Sequence, residues 1–419
     1  MSHDLVIVGG GPAGMMAGLL FARAGVKTLV LEKHRDFLRD FRGDTVHPST
    51  MQVFHELGLL DELLRRPHDK VEQLGARIAG QFERVADFRH LKVAAPFIAL
   101  MPQWEFLDFV AEVARRYPNF ELRQSCAGES LLEEGGRVVG VRTSTSLGAS
   151  AGPSAGTVPG ASDEVRARLV IASDGRDSRF RAGLPQRDIG APMDVFWFRL
   201  PKLAQPENDS MGVFDTGRIF VLIDRGTYWQ CAFVFPKGTA ERVHAEGLAA
   251  FKDRVRAVGP ETAGVDDAIH GWDDVKLLTV TVDRLDRWWR PGLLVIGDAA
   301  HAMSPIGGVG INLAIQDAVA AANLLAAPLA RGDDPDPLLP RLQARRMRPV
   351  QLTQGVQKLI QDNMIAPLLS ESRPLEQPPL AVRLLDALPA LRGIPARIVG
   401  MGFRPEHVRS PDLNKSGRP

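Results

Sequence analysis

Short apolar runs alternate with helical patterns along this chain, and the first pair is the clearest. Residues 4–8 read Asp-Leu-Val-Ile-Val, which is typical of a buried parallel strand, and an alanine-rich stretch with helical periodicity follows. A second apolar run over 26–32 ends in Glu32. The order strand, helix, strand predicts the opening of a doubly wound α/β domain.

The rest of the chain changes several times between helical and strand-like patterns. Apolar residues at helical spacing predict helices over 49–58, 59–66, 102–115 and 311–329. Compact apolar runs predict further strands over 120–123, 137–142, 167–174 and 293–298. Short apolar and aromatic blocks separated by turns predict a mostly β region from 188 to 285, and 71–98 suggests strands of the same kind. The chain after residue 330 is predicted to be helical and interrupted by proline.

One segment carries neither pattern. Residues 143–162 are almost entirely Ser, Gly, Ala, Thr, Pro and Leu. Such a segment buries too little apolar area to offset the conformational entropy that ordering would cost. We expect a mobile hairpin loop here and assign no function to it.

The turn after the first strand has the spacing Gly9-x-Gly11-x-x-Gly14. In a strand–turn–helix unit the first glycine permits the tight turn, the second lets a pyrophosphate approach the backbone, and the third lets the helix pack on the strand. The helix start then offers free N–H groups to phosphates. Glu32 ends the second strand, where a carboxylate accepts hydrogen bonds from a ribose. A glycine pattern alone is often an ordinary turn, but this ordered set predicts dinucleotide binding.

Composition restricts the partners and the compartment. The formal charge of +1 over 419 residues argues against a nucleic-acid-binding role. Cys126 and Cys231 lie far apart without a CxxC motif, so neither a disulfide framework nor a metal site is indicated. The first strand begins too early for a signal peptide, and we expect no membrane span. These features predict a cytoplasmic protein, and they leave open whether it is a monomer or a dimer.

Three further motifs indicate which class of dinucleotide-binding protein this is. They are Arg42-Gly-Asp-Thr-Val-His-Pro48, Asp174-Gly-Arg-Asp-Ser-Arg-Phe-Arg181 and the glycine-rich run from Gly297 to Asn312. Together with the first glycine motif they resemble the single-component FAD-dependent aromatic hydroxylases, the flavoprotein monooxygenases of the p-hydroxybenzoate hydroxylase type. The resemblance covers about residues 4 to 350.

The resemblance implies an α/β fold with a Rossmann-like FAD-binding domain, a mostly β substrate domain and a helical C-terminal part. The expected FAD-binding domain is discontinuous and comprises 1–70, 99–182 and 286–330. The expected substrate domain comprises 71–98 and 183–285. The helical region covers 331–419.

It also implies which residues hold non-covalent FAD. They are Gly9, Gly11, Pro12, Ala13, Gly14, Glu32, Lys33, Arg42, Gln103, Asp174, Gly175, Asp298, Gly308, Gly310, Ile311 and Asn312. Asp298 would bind the ribityl chain, and the helix after Gly310 would point its positive end at the flavin. The alternatives remain a surface ion pair for Arg42, an exposed polar side chain for Gln103, and a structural turn for Asp174 and Asp298.

Few residues are candidates for catalysis or for substrate binding. The resemblance places His47 and Pro305 beside the flavin, and His47 is either an acid/base group or a structural histidine. Trp197, Tyr228, Trp229 and Phe233 are candidates for the substrate pocket, although alternation lets only one face of a strand line it. The chain holds only two tyrosines, Tyr117 and Tyr228. Deprotonation of a phenol through a tyrosine relay is therefore not expected.

The implied activity is that of an FAD-dependent monooxygenase. NAD(P)H would reduce FAD transiently, and O2 would form a flavin C4a-hydroperoxide that hydroxylates or epoxidises an apolar, aromatic or polyketide-like small molecule. A reductase of the same superfamily and a non-catalytic flavin-binding redox sensor are the alternatives. A flavin-dependent halogenase shares the fold, but its Trp-x-Trp-x-Ile-Pro run is absent; the nearest stretch is Trp229–Pro236.

Overall fold

The computed structural model of the protein describes residues 3–38, 45–145, 162–203, 211–370 and 376–413. Two large sheets with helices packed against them form the molecule, which confirms the predicted α/β class. The strands are β1 (His3–Val8), β2 (Thr28–Leu31), β3 (Thr45–Val46), β4 (Asp69–Val71), β5 (Gln73–Ile78), β6 (Gln81–Asp87), β7 (Ile98–Leu100), β8 (Phe120–Arg123), β9 (Cys126–Glu134), β10 (Arg137–Thr145), β11 (Ser162–Ala172), β12 (Gln186–Asp188), β13 (Met193–Pro201), β14 (Met211–Asp215), β15 (Arg218–Asp224), β16 (Tyr228–Pro236), β17 (Lys276–Leu278), β18 (Asp283–Leu285), β19 (Trp289–Arg290) and β20 (Leu293–Val295). The helices are α1 (Pro12–Arg23), α2 (Pro48–Leu57), α3 (Leu60–Leu63), α4 (Gln103–Ala114), α5 (Ala240–Glu246), α6 (Leu248–Arg256), α7 (Val265–Ala268), α8 (Gly310–Arg331), α9 (Leu339–Ile360), α10 (Ala366–Leu369), α11 (Leu380–Ala387) and α12 (Gly393–Met401).

The first sheet brings three separate motifs to one edge. Its main path is β19-β20-β11-β1-β2-β8, and β20, β11, β1, β2 and β8 run parallel. Ala172 pairs with both Val8 and Val295, so β1, β11 and β20 end at the same level. The residues that follow these strands therefore meet at the carboxyl edge, where α/β sheets bind ligands.

Both faces of this sheet are buried, and helices cover one of them. Helix α1 packs against α8 and α4, and their apolar residues form one core with the adjacent strand side chains. Gly18 lets α1 approach β2 closely, because a Cβ there would lie 2.7 Å from Val30 Cγ2. Burial on both faces explains why β1 and β2 read as continuous apolar runs.

The second sheet has the order β17-β13-β16-β15-β14-β5-β6. β5 therefore pairs with β14, which lies more than a hundred residues further along the chain. The expectation of a mostly β region over 188–285 is wrong in one part. Helices α5, α6 and α7 lie between β16 and β17 and cover one face of the sheet. After these helices the β structure resumes in β17, which spans only three residues.

The C-terminal helices cover the other face of the second sheet. Helix α9 continues into a π-helical turn over Gln361–Ile365 and then into α10. Ile365, Leu368 and Leu369 pack on Val195, Ile219 and other side chains of that face. Helices α11 and α12 pack against β6. The C-terminal region thus covers one face of the second sheet and packs against its edge strand β6.

Helix α8 crosses the centre of the molecule. Within the part of the chain that the structure describes, Ile306–Arg331 has the length and apolar composition of a membrane span. Its apolar character has another explanation, because 72% of its most apolar window is buried inside the protein. It ends at Gly332, which adopts the left-handed conformation common at helix C-termini.

The low-complexity segment connects two long strands. β10 and β11 pair antiparallel from Gly140 opposite Arg166 to Ser144 opposite Ser162. The hairpin geometry is therefore present at the base of the predicted loop. Residues 146–161 lie outside the described residues.

Candidate active site

The first glycine turn lies directly against the strand end that carries Asp174. Gly9 has φ +102°, and a Cβ on it would lie 2.6 Å from the Ser173 carbonyl oxygen. A Cβ on Gly14 would lie 1.9 Å from the Gly9 carbonyl oxygen. A side chain at Gly9 or Gly14 would therefore force the helix, the turn or the neighbouring strand to move.

The start of α1 is open where a phosphate would be expected. Pro12 is the first helical residue, and a Cβ on Gly11 would have no heavy atom of the described residues within 4 Å. Ala13 is buried under this turn. The carboxylate of Glu32 accepts hydrogen bonds from the backbone N–H groups of Gly10 and His34, both at 3.0 Å. This geometry holds the acid beside the glycine turn.

Asp174 and Gly175 form a tight turn at the end of β11. Burial raises the pKa of Asp174, while a hydrogen bond from Ser178 and the charge of Lys33 act in the opposite direction. Asp174 Oδ1 is buried and has no hydrogen-bond partner among the residues that the structure describes. Gly175 has φ +93°. A buried acceptor of this kind fits a ligand that donates a hydrogen bond.

Asp298 lies between this turn and the start of α8. Its Oδ2 is 3.5 Å from Nη2 of Arg176, and its side chain is 36% exposed. A Cβ on Gly310 would lie 3.9 Å from Asp298 Oδ1. Gly297, with φ +61°, fits against Ala13 and Ala314, so the turn is wedged between α1 and α8. The structure therefore brings the glycine turn, Asp174 and Asp298 together.

A buried charge network supports the Asp298 turn from behind. Asp317 Oδ2 accepts from Gly297 N at 3.1 Å and lies 2.6 Å from His301 Nε2, while its Oδ1 accepts from Arg346 Nε at 2.8 Å. Burial would raise the pKa of Asp317, but His301 and Arg346 lower it below its usual value. The sequence reasoning did not identify this network, although a single acid inside the alanine-rich helix was a visible signal.

The loop before α8 is fastened to the segment around β3. Gly307 and Gly308 have φ +76° and +63°. The Gly308 carbonyl accepts from Thr45 Oγ1 at 3.0 Å and from Asn312 Nδ2 at 3.4 Å. Asn312 Oδ1 in turn accepts from His47 N at 2.9 Å and Thr50 Oγ1 at 2.7 Å. Ile311 is half-buried against the core next to it.

His47 is completely buried beside this loop. Its Nδ1 lies 2.8 Å from the Val399 carbonyl oxygen, which can only accept, so Nδ1 carries the proton. Burial lowers the pKa of His47 to about 4. Nε2 has no partner among the described residues, and a Cβ on Gly308 would lie 3.5 Å from it. His47 is thus a neutral imidazole that presents an acceptor near Gly308.

The described geometry does not test two of the predicted cofactor contacts. Gln103 is the first residue of α4, where it is half-buried, and it makes contacts of its own. Arg42 lies outside the described residues. Their roles stay predictions.

The four pocket candidates lie on opposite faces of the second sheet. Trp197 packs with Ile306 and Val221 on the face covered by α10, and Tyr228 has the same parity along β16 as Ala232. Trp229 and Phe233 point to the other face, where they are 2% and 5% exposed under α5–α7. We therefore remove these two residues from the proposed pocket, because α5–α7 bury them. The sequence analysis did not predict these helices.

Comparison with known proteins identifies the family. Residues 2–354 match the family model described as FAD binding domain. The chain is 34% identical to the 6-methylpretetramide 4-monooxygenase of Streptomyces rimosus over 427 aligned residues. The alignment covers 99% of this chain and 96% of that protein. The chain belongs to the FAD-binding-domain family of flavoprotein monooxygenases. The expected cofactor FAD and the expected enzyme class are thereby confirmed.

Other monooxygenases are more distant. The para-nitrophenol 4-monooxygenase of Pseudomonas sp. (strain WBC-3) is 24% identical over 78% of this chain and 79% of its own length. The crystal structure of p-nitrophenol 4-monooxygenase PnpA from Pseudomonas putida DLL-E4 superposes with a TM-score of 0.72 at 22% identity, covering 95% of both chains. At this identity the structural match shows that the fold of the flavoprotein monooxygenase is shared.

Proposed function

We propose that this flavoprotein monooxygenase hydroxylates a polycyclic aromatic polyketide, with NAD(P)H as reductant and O2 as the oxygen donor. The observation that carries the proposal is the end-to-end identity of 34% with 6-methylpretetramide 4-monooxygenase. The sheet face that bears Trp197 and Val221 supports it, because these half-buried side chains offer an apolar wall suited to a flat substrate.

We propose that FAD binds at the carboxyl edge of the first sheet. The glycine turn and the start of α1 would bind the pyrophosphate, and Glu32 and Lys33 would lie near the adenosine ribose. Gly11 supports this role because its surroundings are open. Asp174 and Asp298 would accept hydrogen bonds from hydroxyl groups of FAD, including those of the ribityl chain, for which the buried, unpartnered Asp174 Oδ1 is the supporting observation.

The isoalloxazine would lie against the loop formed by Pro305, Gly308 and the first turn of α8. Gly310, Ile311 and Asn312 begin that helix, whose positive end would stabilise negative charge on reduced flavin by about 0.3–2 kcal/mol. The Asn312 hydrogen bonds keep this turn fixed relative to His47. When bound, FAD supplies the oxygen activation.

The protein groups then bind and orient the substrate. With a pKa of about 4, His47 would be too weak a base to remove a phenolic proton near neutral pH. It would instead accept a hydrogen bond through Nε2, from a substrate hydroxyl or from the flavin ring. Trp197 Nε1 is buried and unpartnered within the described chain, so it would donate to a substrate oxygen. The apolar wall would exclude water.

We propose the domain division given by the sequence, namely 1–70, 99–182 and 286–330 for FAD, 71–98 and 183–285 for substrate, and 331–419 as a C-terminal region. We also propose a cytoplasmic location. The C-terminal region would contribute directly to the site through the Val399 carbonyl that orients His47.

The test uses the purified FAD-loaded enzyme with NADPH or NADH. A panel of polycyclic phenols that includes 6-methylpretetramide would be assayed for NAD(P)H oxidation and for products by mass spectrometry. We expect one or more members to stimulate oxidation and to gain one oxygen atom. Substrate reduction without oxygen gain would support the reductase alternative, and binding without turnover would support the redox sensor.

A further inference from the structure

Three buried glutamines on α9 and its π-helical extension face the backbone that leads into the Pro305 loop. Gln354, Gln357 and Gln361 are 2%, 4% and 2% exposed. Their spacing of three and four residues places them along one side of the helix. Amide side chains buried to this degree require hydrogen-bond partners. Here the partners are mainly the backbone of the segment from Ala302 to Ile306.

Gln357 makes the central contacts. Its Nε2 donates to the carbonyl oxygens of Ser304 at 2.9 Å and Ile306 at 3.0 Å. Its Oε1 accepts from the Ser304 backbone N–H at 3.3 Å. One side chain therefore satisfies three backbone groups on both sides of Pro305.

The two flanking glutamines extend the same arrangement. Gln354 Nε2 donates to the carbonyl oxygens of Asp283 at 2.9 Å and Ala302 at 3.2 Å. Its Oε1 accepts from Arg284 Nη1 at 2.6 Å. Gln361 Nε2 donates to Ser304 Oγ at 3.0 Å. The helix thus supplies donors to the carbonyls of 302, 304 and 306, as a neighbouring strand would do for an extended segment.

The glutamines hold the 302–306 end of the Pro305 loop, and a second set of hydrogen bonds holds its other end at Gly308. Gly308 is fastened to Thr45 and Asn312. Between the two anchors, Ile306 packs into the apolar cluster that includes Trp197 and Met364. Met364 lies in the π-helical turn, a feature that is often found at functional sites. A shift of the 304–306 backbone would therefore move the loop relative to the proposed substrate wall.

We propose that Gln357, supported by Gln354 and Gln361, is a positioning residue that sets the Pro305 loop against flavin and substrate. The inference rests on the proposed function. It adds that the C-terminal helix determines how efficiently reduced flavin transfers oxygen to the substrate. A displacement of about 1 Å is enough to impair a reaction that depends on alignment.

The test replaces Gln357 with methionine, which keeps the length of the side chain and removes its donors and acceptor. The matched control is Gln351→Met, because Gln351 is exposed on the same helix. Hydrogen–deuterium exchange of the FAD-loaded protein would be compared for a peptide over 302–308 and for β20. We expect exchange over 302–308 to rise about tenfold in Gln357→Met alone, with β20 unchanged.

Two readouts then separate positioning from general stability. The visible absorption spectrum of bound flavin should shift in Gln357→Met while the FAD dissociation constant stays within about threefold. With a substrate, the fraction of NAD(P)H that ends as H2O2 should rise about threefold or more. Unchanged exchange, spectrum and coupling, or equal changes in Gln351→Met, would overturn the proposal.

If Gln357→Met does not fold, a double-mutant cycle of Gln361→Met and Ser304→Ala replaces it. The two changes remove the two partners of one hydrogen bond. We expect the exchange effect of the pair to be smaller than the sum of the single effects, and additive effects would contradict the assignment. If the wild type hydroxylates nothing, the proposed function fails, whereas the exchange and spectral tests still decide the role of Gln357.

Discussion

Individual residues at the carboxyl edge of the first sheet determine what the site can bind. Asp298 was selected from the sequence because it follows an apolar strand, and the structure brings it close to Arg176 and the first turn of α8. His47 was also selected, but its environment could not be deduced from the sequence. Its hydrogen bond goes to Val399, more than 350 residues later in the chain, and its burial depends on the C-terminal helices.

The role of Asp298 gives the first prediction. Asp298→Ala would remove charge-assisted hydrogen bonds to FAD, each worth about 1.5–3 kcal/mol. We expect the FAD dissociation constant, measured by flavin fluorescence titration, to rise about tenfold or more. Asp253→Ala, at an exposed position on α6, is the control. An unchanged constant in a folded Asp298→Ala protein would refute the assignment.

The buried neutral state of His47 gives the second prediction. The pKa of His47 is about 4 in the folded protein against 6.5 as the ordinary value, so the unfolded chain takes up a proton that the folded protein does not. This contribution to stability is present above pH 6.5 and is lost as the pH falls towards 4.

His47→Asn removes the titration and keeps a donor for Val399. Urea unfolding of both proteins at pH 7 and pH 5 would measure the effect, because all other histidines cancel in the difference. We expect the stability of the wild type relative to the variant to fall by about 2 kcal/mol between these pH values. A difference that does not depend on pH would show that His47 titrates normally.

At the scale of elements, the sequence identified strands and the long helices well. The apolar runs of β1, β2, β11 and β20 are buried on both faces, which makes them easy to recognise. It did not identify α5–α7, because these helices are short and interrupted by glycine. Without them the covered face of the second sheet could not be known, so Trp229 and Phe233 were grouped with Trp197 although they lie on the opposite face.

The positions of Trp197 and Trp229 on opposite faces of the second sheet give the third prediction. Trp197→Phe keeps an aromatic ring on the apolar wall and removes the indole N–H. We expect KM for the substrate to rise about tenfold, since a hydrogen bond to a substrate oxygen would be lost, while the FAD dissociation constant stays the same. Trp229→Phe is the matched control on the opposite face and should lower stability without raising KM. Equal effects of the two changes on KM would contradict the proposed wall.

The buried polar connections between elements could not be predicted from periodicity. Asp317 binds His301 and Arg346, and the glutamines of α9 bind the Pro305 segment, although both helices read as ordinary amphipathic or apolar runs. Polar residues at buried helical positions were the available signal. Their partners are backbone groups and side chains from distant segments, so only the fold reveals them.

At the scale of the whole molecule, the proposed flavin site lies where the first sheet, the second sheet and the C-terminal helices meet. The loop before α8 is fastened to β3 and to α9, and its Ile306 contacts the wall of the second sheet. A ligand on that wall would therefore affect the position of the loop. Differential affinity of substrate for the state that NAD(P)H can reduce would couple reduction to substrate binding.

Anaerobic reduction gives the fourth prediction. Stopped-flow absorbance in the flavin band would follow reduction of FAD by NAD(P)H with and without substrate. We expect substrate to accelerate reduction about tenfold or more, which corresponds to a population shift of about 1.4 kcal/mol. Equal rates with a substrate that is hydroxylated would mean that reduction is not controlled by the substrate site.

Incorporation of labelled oxygen tests the central claim most directly. The FAD-loaded enzyme, NAD(P)H and the substrate identified from the polycyclic phenols would react under ¹⁸O₂ in ordinary water. A monooxygenase transfers one atom from O2, so the account predicts a product that carries a single ¹⁸O atom. A product that carries oxygen from water, or consumption of NAD(P)H and O2 that yields only H2O2 with every phenol in the panel, would contradict it.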